Sequence, residues 1–227
     1  MTVVGPSCRI APTSGDHRTR WQDRRMRSDG QSLTFSDGTV RLRPWSSGDA
    51  GFLVEAMTDP GIRRYNGSHD RQGFPAPPLS TTDAEALIQG FEENHRAFAA
   101  GGDPSGVAFA VVDVASGELV GCCGVDGWSG EDVAQFGYWI VPSARGRGHA
   151  TRAATLLTRW LFELGAARIL LTIVAGNEES AAVARRAGFV YEGTMRSQGV
   201  WLGRRCDVML FAAVALEWGG HEATEST

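Results

Sequence analysis

The chain has 227 residues and 42% hydrophobic content, enough for one sizeable domain, and its net charge of −4 argues against general affinity for nucleic acid. All 22 basic residues are arginine, so any chemistry that needs a lysine is excluded. No run of 18 apolar residues exists, which excludes a transmembrane helix, and the start, Met1 to Arg9, lacks the basic stretch and apolar core of a signal peptide; the expectation is a soluble cytoplasmic protein with no membrane partner.

Residues 1–30 are rich in Arg and Asp and poor in apolar side chains, which predicts a disordered tail. Order is expected over residues 31–218, with 219–227 a polar tail. Asp37-Gly38 marks a first hairpin between residues 33–36 and 39–43. A helix is predicted over 48–57, ending before Asp59-Pro60. Residues 65–80, rich in Gly, Pro and Ser, read as a long loop. Thr82 and Glu85 form a capping-box pattern opening a helix with Ala84, Leu87, Ile88, Phe91 and Phe98 on one face.

Strands are predicted at 107–114, 119–125 and 133–141. A helix over 150–164 follows, with Gly165 past its end. Residues 168–175 read as a buried strand. Asn177 caps a short helix that ends at Gly188, and residues 189–195 and 207–216 complete the sheet. The fold class is therefore α/β, one domain with a mixed sheet: antiparallel hairpins first, then alternating strands and helices.

The cysteines Cys8, Cys122, Cys123 and Cys206 fit no zinc spacing, and adjacent Cys122 and Cys123 on a strand point to opposite faces. Reduced thiols and no metal site are expected.

The chemistry-bearing segment is Arg145-Gly146-Arg147-Gly148-His149-Ala150-Thr151, a glycine-rich turn from a strand into a helix. Such a turn offers free backbone N–H groups and the positive end of a helix dipole to phosphate. A P-loop needs a lysine, which the chain lacks. A dinucleotide fingerprint needs a third glycine, where Thr151 stands, and an acid at the end of the next strand; the nearest later acid, Glu163, lies inside the helix.

Arg145, Gly148 and Ala150 match the pattern [QR]-x-x-G-x-[GA] of the GNAT superfamily of acyl-CoA-dependent acyltransferases. Gly137-Tyr-Trp-Ile-Val-Pro142 resembles the central strand of its RimJ/RimL-like branch. Asn177-Glu-Glu-Ser180, Ala187-Gly188-Phe189 and Glu192-Gly193 resemble that branch's second motif. Leu42-Arg43-Pro44, Cys206-Asp207-Val208 and Glu217-Trp218 resemble its ends, so the likeness covers residues 33–218.

The resemblance implies a GNAT fold with antiparallel N-terminal strands and a central parallel pair splayed at its C-terminal ends. It implies acetyl-CoA as co-substrate and direct attack by a primary amine, either a protein N-terminal amine or a small amine. The pantetheine arm would lie along backbone at Trp139, Ile140 and Val141, one of whose N–H groups would serve as the oxyanion donor. The pyrophosphate would meet residues 145–151, helped by the Arg145 or Arg147 side chain, with His149 a phosphate-side residue. Asn177 would contact pantetheine, and Ser180 would sit near the sulfur as a proton donor.

Relatives often carry a glutamate where this chain has Gln135, which can orient a water or an amine but cannot accept a proton. Water, Asp126, Glu131 or Asp132 remain as proton acceptors. Tyr138, on the other strand face, reads as packing, and Phe211 stands where relatives often show a tyrosine. The loop 60–80 and helix 82–99 are expected to shape the acceptor site. The alternative is an acyl-CoA-binding module of the same fold with little or no turnover, and a homodimer is one option for the assembly.

Overall fold

The computed structural model describes residues 33–66 and 69–219. The expected tail 1–30, with Cys8, and residues 220–227 lie outside the described residues.

The chain runs β1 (Phe35–Ser36), β2 (Val40–Pro44), α1 (Ala50–Ala56), α2 (Pro60–Tyr65), α3 (Thr81–Ala99), β3 (Ala108–Asp113), β4 (Leu119–Trp128), β5 (Val133–Ile140), α4 (His149–Leu164), β6 (Arg168–Val174), α5 (Glu178–Arg186), β7 (Val190–Trp201) and β8 (Arg204–Val214). Its eight strands form one sheet in the order β1-β2-β3-β4-β5-β6-β8-β7. Every pairing is antiparallel except β5 with β6. This is the mixed sheet expected from the sequence.

Alternation along the strands divides the core between two faces. Phe109, Cys123, Phe136 and Tyr138 pack beneath α4 and α5, with Ala153, Leu157, Leu161, Ala181 and Ala184. Ala108, Ala110, Cys122 and Trp139 face Leu53 of α1 and Ala84 and Ile88 of α3. Cys122, Cys123 and Cys206 are free thiols, the first two on opposite faces as expected.

The parallel pair is short. β5 and β6 are in register only at Val133 with Arg168, Ala134 with Ile169 and Gln135 with Leu170. Beyond that, β5 stays on β4 and β6 stays on β8, so the two diverge towards their C-terminal ends. A bulge in β4 between Val125 and Gly127 lies opposite the point of divergence and adds local twist there.

Four local expectations need correction. Asp59-Pro60 ends one helix but also starts another: Asp59 caps α2 by accepting from the Ile62 N–H at 2.7 Å, and Pro60 takes a first-turn position where its missing N–H costs nothing. Helix α3 is capped two residues earlier than the Thr82 pattern predicts. Ser80 and Asp83 form the reciprocal box, with Ser80 Oγ accepting from Asp83 N–H at 3.1 Å. Leu87 is exposed rather than on the buried face.

The last two strands form a hairpin much longer than expected, reversing at Leu202 and Gly203, both with positive φ. Its tip docks on the loop after α2: the N–H groups of Leu202 and Gly203 donate to the carbonyls of Gly73 and Gln72 at 3.1 and 2.7 Å. Gly73 allows that approach, because a Cβ there would lie 2.4 Å from the Val200 carbonyl oxygen.

Candidate active site

The divergence of β5 from β6 opens a groove of 490 Å³. β5 supplies its floor through Tyr138, Trp139 and Ile140, the turn into α4 closes one end, α5 forms one wall, and α2 forms the other. Ile62 of α2 is fully buried and packs with Trp139 and Val141, which holds that wall against the sheet.

Strand alternation decides which backbone groups face the groove. The Val141 N–H donates to the Val120 carbonyl at 2.9 Å, so the N–H of residues 141 and 139 is turned towards β4 and that of Ile140 towards the open side. Consistent with this, the Ile140 carbonyl accepts from Arg145 Nε at 3.1 Å, outside the sheet. Of the expected Trp139–Val141 backbone stretch, only Ile140 presents its amide to the groove. Val141 is not part of the groove wall; Trp139 is, and its ring stacks 6.0 Å from Phe52.

At the closed end, Gly146 and Gly148 have φ of +75° and +81°. Gly148 is the N-cap of α4, and the first intrahelical bond runs from Arg152 N–H to the Gly148 carbonyl at 3.1 Å. The amides of residues 148–151 therefore lack an intrahelical acceptor, and a glycine cap has no side chain to take them. Gly146, Gly148, Ala150 and Thr151 line the groove here, giving the geometry of an anion cradle at a helix N-terminus.

The side chains expected to assist behave differently. Arg145 is drawn sideways to the Ile140 carbonyl and to Asp59 Oδ1 at 3.3 Å, tying the turn to the start of α2. Arg147 is exposed and stands outside the groove wall. The His149 ring is 3% exposed and turned into the core, with Nδ1 3.1 Å from the Ala144 carbonyl and Nε2 3.1 Å from Asp113 Oδ2. A buried imidazole needs such partners, and they leave only the backbone of His149 to the groove.

On α5, Asn177 is the N-cap: its Oδ1 accepts from Ser180 N–H at 3.2 Å. Both residues line the groove. The Ser180 Oγ is 2.9 Å from Tyr138 Oη, and both residues are buried, at 6% and 5% exposure. Desolvation pushes the Tyr138 phenol above its ordinary pKa, with the bond to Ser180 acting the other way. Tyr138, expected as packing, is thus also a groove residue.

Gln135 is not brought to this place. It sits where β5 and β6 are still paired, four residues and about 13 Å along the strand from Trp139, and is not in the groove wall. Glu131 and Asp132 precede β5, four and three residues before Gln135, and so lie further still from Trp139. Asp126 is the extra residue of the β4 bulge, beside Gly127, which faces Gln135. Burial pushes its carboxyl up to about 7, although the residue keeps exposed surface. The carboxylate that does line the groove is Glu179, one residue before Ser180. Its first-turn place after Asn177 was the available signal for it. Phe211 is fully buried against Tyr191 and supplies no phenol.

Among the described residues, no His, Cys, Asp or Glu side chains group so as to hold a metal ion, and no helix is long and apolar enough to cross a membrane.

A splayed parallel pair feeding a glycine-rich helix N-terminus defines a GNAT-type α/β fold. The family model for the acetyltransferase (GNAT) domain matches residues 39–190, and the chain belongs to this family. It is 34% identical over 90 residues to the Bacillus subtilis protein named "Putative ribosomal N-acetyltransferase YdaF". That match covers 39% of the chain and about half, 49%, of the relative.

Among solved structures, a GCN5-related N-acetyltransferase from Brucella melitensis is similar with a TM-score of 0.64 at 26% identity, covering 83% of this chain and 81% of that one. RimL, a ribosomal L7/L12 alpha-N-protein acetyltransferase solved with coenzyme A, shares the fold with a TM-score of 0.65 at 22% identity, covering 81% and 98%. The family match and the YdaF match bear out the GNAT, RimJ/RimL-like resemblance read from the sequence, and the RimL likeness shows the shared fold.

Proposed function

We propose that the protein is an N-acetyltransferase that moves the acetyl group of acetyl-CoA directly to a primary amine. The observation that carries this reading is the continuity of one groove from the amides of residues 148–151, past the open edge of Ile140, to Ser180 and Trp139. A phosphate-bearing thioester of pantetheine length suits it. The pyrophosphate takes the helix N-terminus, the arm follows the β5 edge left open by β6, and the thioester reaches Ser180. The Ile140 N–H is the best-placed oxyanion donor. Asn177 orders the start of α5, and Ser180 hydrogen-bonds the departing sulfur.

The acceptor enters beside α2, where Tyr65 stacks 5.4 Å from Trp201 and the Arg64 guanidinium lies 4.3 Å from the same ring. The YdaF and RimL names favour a protein N-terminal amine. Small amines are the competing acceptor class. The amine must lose a proton, to Glu179 of the groove wall or to water. Gln135, expected to orient a water or the amine, lies outside the groove wall.

The second reading, an acyl-CoA-binding module with little turnover, is favoured only by the absence of a glutamate at position 135. Release of CoA thiol from acetyl-CoA over a panel of N-terminal peptides, aminoglycosides and polyamines decides between them. Steady thiol release with at least one amine is expected. Tight CoA binding without release from any amine would leave the binding module.

A further inference from the structure

We infer that the acceptor is a peptide N-terminus followed within its first few residues by carboxylate side chains, which a collar of arginines around Trp201 receives. This rests on the reading of the groove as an acetyltransferase site and names the acceptor's chemistry.

Three segments assemble the collar. Tyr65 lines the groove from α2, and its ring stacks 5.4 Å from Trp201 at the end of β7. Trp201 Nε1–H donates to the Arg64 carbonyl at 3.3 Å, which fixes the hairpin tip to α2. Arg64 lays its guanidinium over the same indole, 4.3 Å from the ring centroid. Stacking engages the flat face of the guanidinium and leaves its in-plane N–H groups to a planar anion. Arg204 is the cross-strand partner of Trp201, so both side chains stand on one face of the hairpin. Arg71 comes from the loop after α2: it precedes Gln72, whose carbonyl accepts from the Gly203 N–H at 2.7 Å. All three arginines are exposed.

Among the described residues, none of these three arginines has a carboxylate partner. Arginines elsewhere do: Arg43 pairs with Asp49, Arg145 with Asp59, Arg152 with Asp37 and Arg168 with Glu192. The adjacent carboxylate, Asp70, turns Oδ1 into its own loop, accepting from the Gln72 and Phe74 N–H groups at 2.8 and 3.0 Å. The mouth is thus basic on a chain whose net charge is −4. Inside the groove, Glu179 is the carboxylate among the described lining residues, against Arg145 and Arg186. A polyamine or an aminoglycoside brings several positive charges to this mouth and is repelled. An acidic peptide is drawn to it. In extended form, at about 3.3 Å per residue, the side chains just after its terminal amine reach from the groove to the collar. The collar is solvent-exposed, so the attraction weakens with salt.

The test is CoA-thiol release with short, C-terminally amidated peptides that share their first residue and carry Glu, Gln or Arg at the positions after it, with a polyamine alongside. The Glu peptide should exceed the Gln peptide about ten-fold in kcat/KM at low salt, chiefly through KM, and the Arg peptide and the polyamine should fall below both. The Glu-to-Gln ratio should shrink at about 0.5 M salt. Arg64→Glu should bring that ratio to one or below, and Arg204→Glu, at an exposed hairpin position, should lower it in the same direction. CoA affinity by calorimetry equal to wild type shows that the groove of each variant is intact; the Arg204 variant carries the test if the Arg64 variant does not fold. Equal kcat/KM for the Glu and Gln peptides, preference for the polyamine, or a ratio that neither variant moves would overturn the acidic acceptor while leaving the acetyltransferase reading standing. A wild-type protein that binds CoA yet releases no thiol with any amine would overturn both.

Discussion

Gly148 is the residue on which the phosphate reading turns. Its φ of +81° is strained for any side chain, and a Cβ there meets no protein atom within 4 Å. The space beyond is the groove itself. Gly148→Val should therefore cost about 1–3 kcal/mol of stability from backbone strain while placing its branches where phosphate must approach. Calorimetry should show CoA affinity falling at least about ten-fold, well beyond the loss for Gly148→Ala. Retained affinity would mean that residues 145–151 are not the cradle. The opposite outcome is expected at Gln135, whose position in the still-paired part of β5 keeps it from the groove. Gln135→Glu should leave kcat for CoA release essentially unchanged, and a clear gain would restore it as the site of a lost base. The glycine turn was legible because backbone conformation is a local property of glycine. The Tyr138–Ser180 contact was not, because it depends on how β5 and α5 come together in space. The inward turn of His149 depends likewise on Asp113, 36 residues away.

Helix ends show where local reading succeeds and fails. Asn177 and Gly165 were legible as caps because each has one interpretation. Asp59-Pro60 carries two, a stop for α1 and a start for α2, and the stop alone was read. α2 matters, because without it the groove would lack a wall. On the same side of the sheet, β2 is fastened to the turn before α1 by Arg43 and Asp49. Arg43 Nη1 and Nη2 donate to the two carboxylate oxygens at 2.7 and 2.9 Å, and Ser46 N–H adds a third bond at 2.9 Å. Burial alone would raise the Asp49 carboxyl, but the guanidinium and the amide outweigh it and hold the pKa below the usual value. A carboxyl lowered on folding contributes stability above its unfolded pKa of about 4, and that contribution is lost as pH falls through the folded value. Asp49→Asn should destabilise the protein by about 1–3 kcal/mol at pH 7, and denaturant unfolding should show the gap narrowing as pH falls below the ordinary carboxylate range. A gap that stays constant as pH falls would show that the ionised form contributes nothing.

On the scale of the whole molecule, the groove is a seam. β5 and β6 are neighbours in the sheet but share only three paired positions, and the walls above their open ends come from α2 on one side and α5 on the other. The mixed sheet was legible from the order of elements, and the splay was implied by the GNAT resemblance. The bulge at Asp126 and the long β7–β8 hairpin were not legible, because register is a property of strand pairs. A ligand filling this seam joins α2, β5, α4 and α5 in the folded state and has no such site in the unfolded chain. Binding must then raise the melting temperature by mass action. At 100 times its Kd, CoA should add about 2.7 kcal/mol, which for a domain of this size corresponds to a rise of about 5–11 °C. NAD at the same concentration should give no comparable shift, since the turn lacks the third glycine and the ribose-binding acid of a dinucleotide site. The measurement needs no acceptor, so it separates the two halves of the functional reading. A shift with thiol release supports the transferase, and a shift without release supports the binding module. Equal shifts with NAD and CoA would remove the acyl-CoA assignment, because the splayed seam would then be accepting phosphate without regard to the arm that follows it.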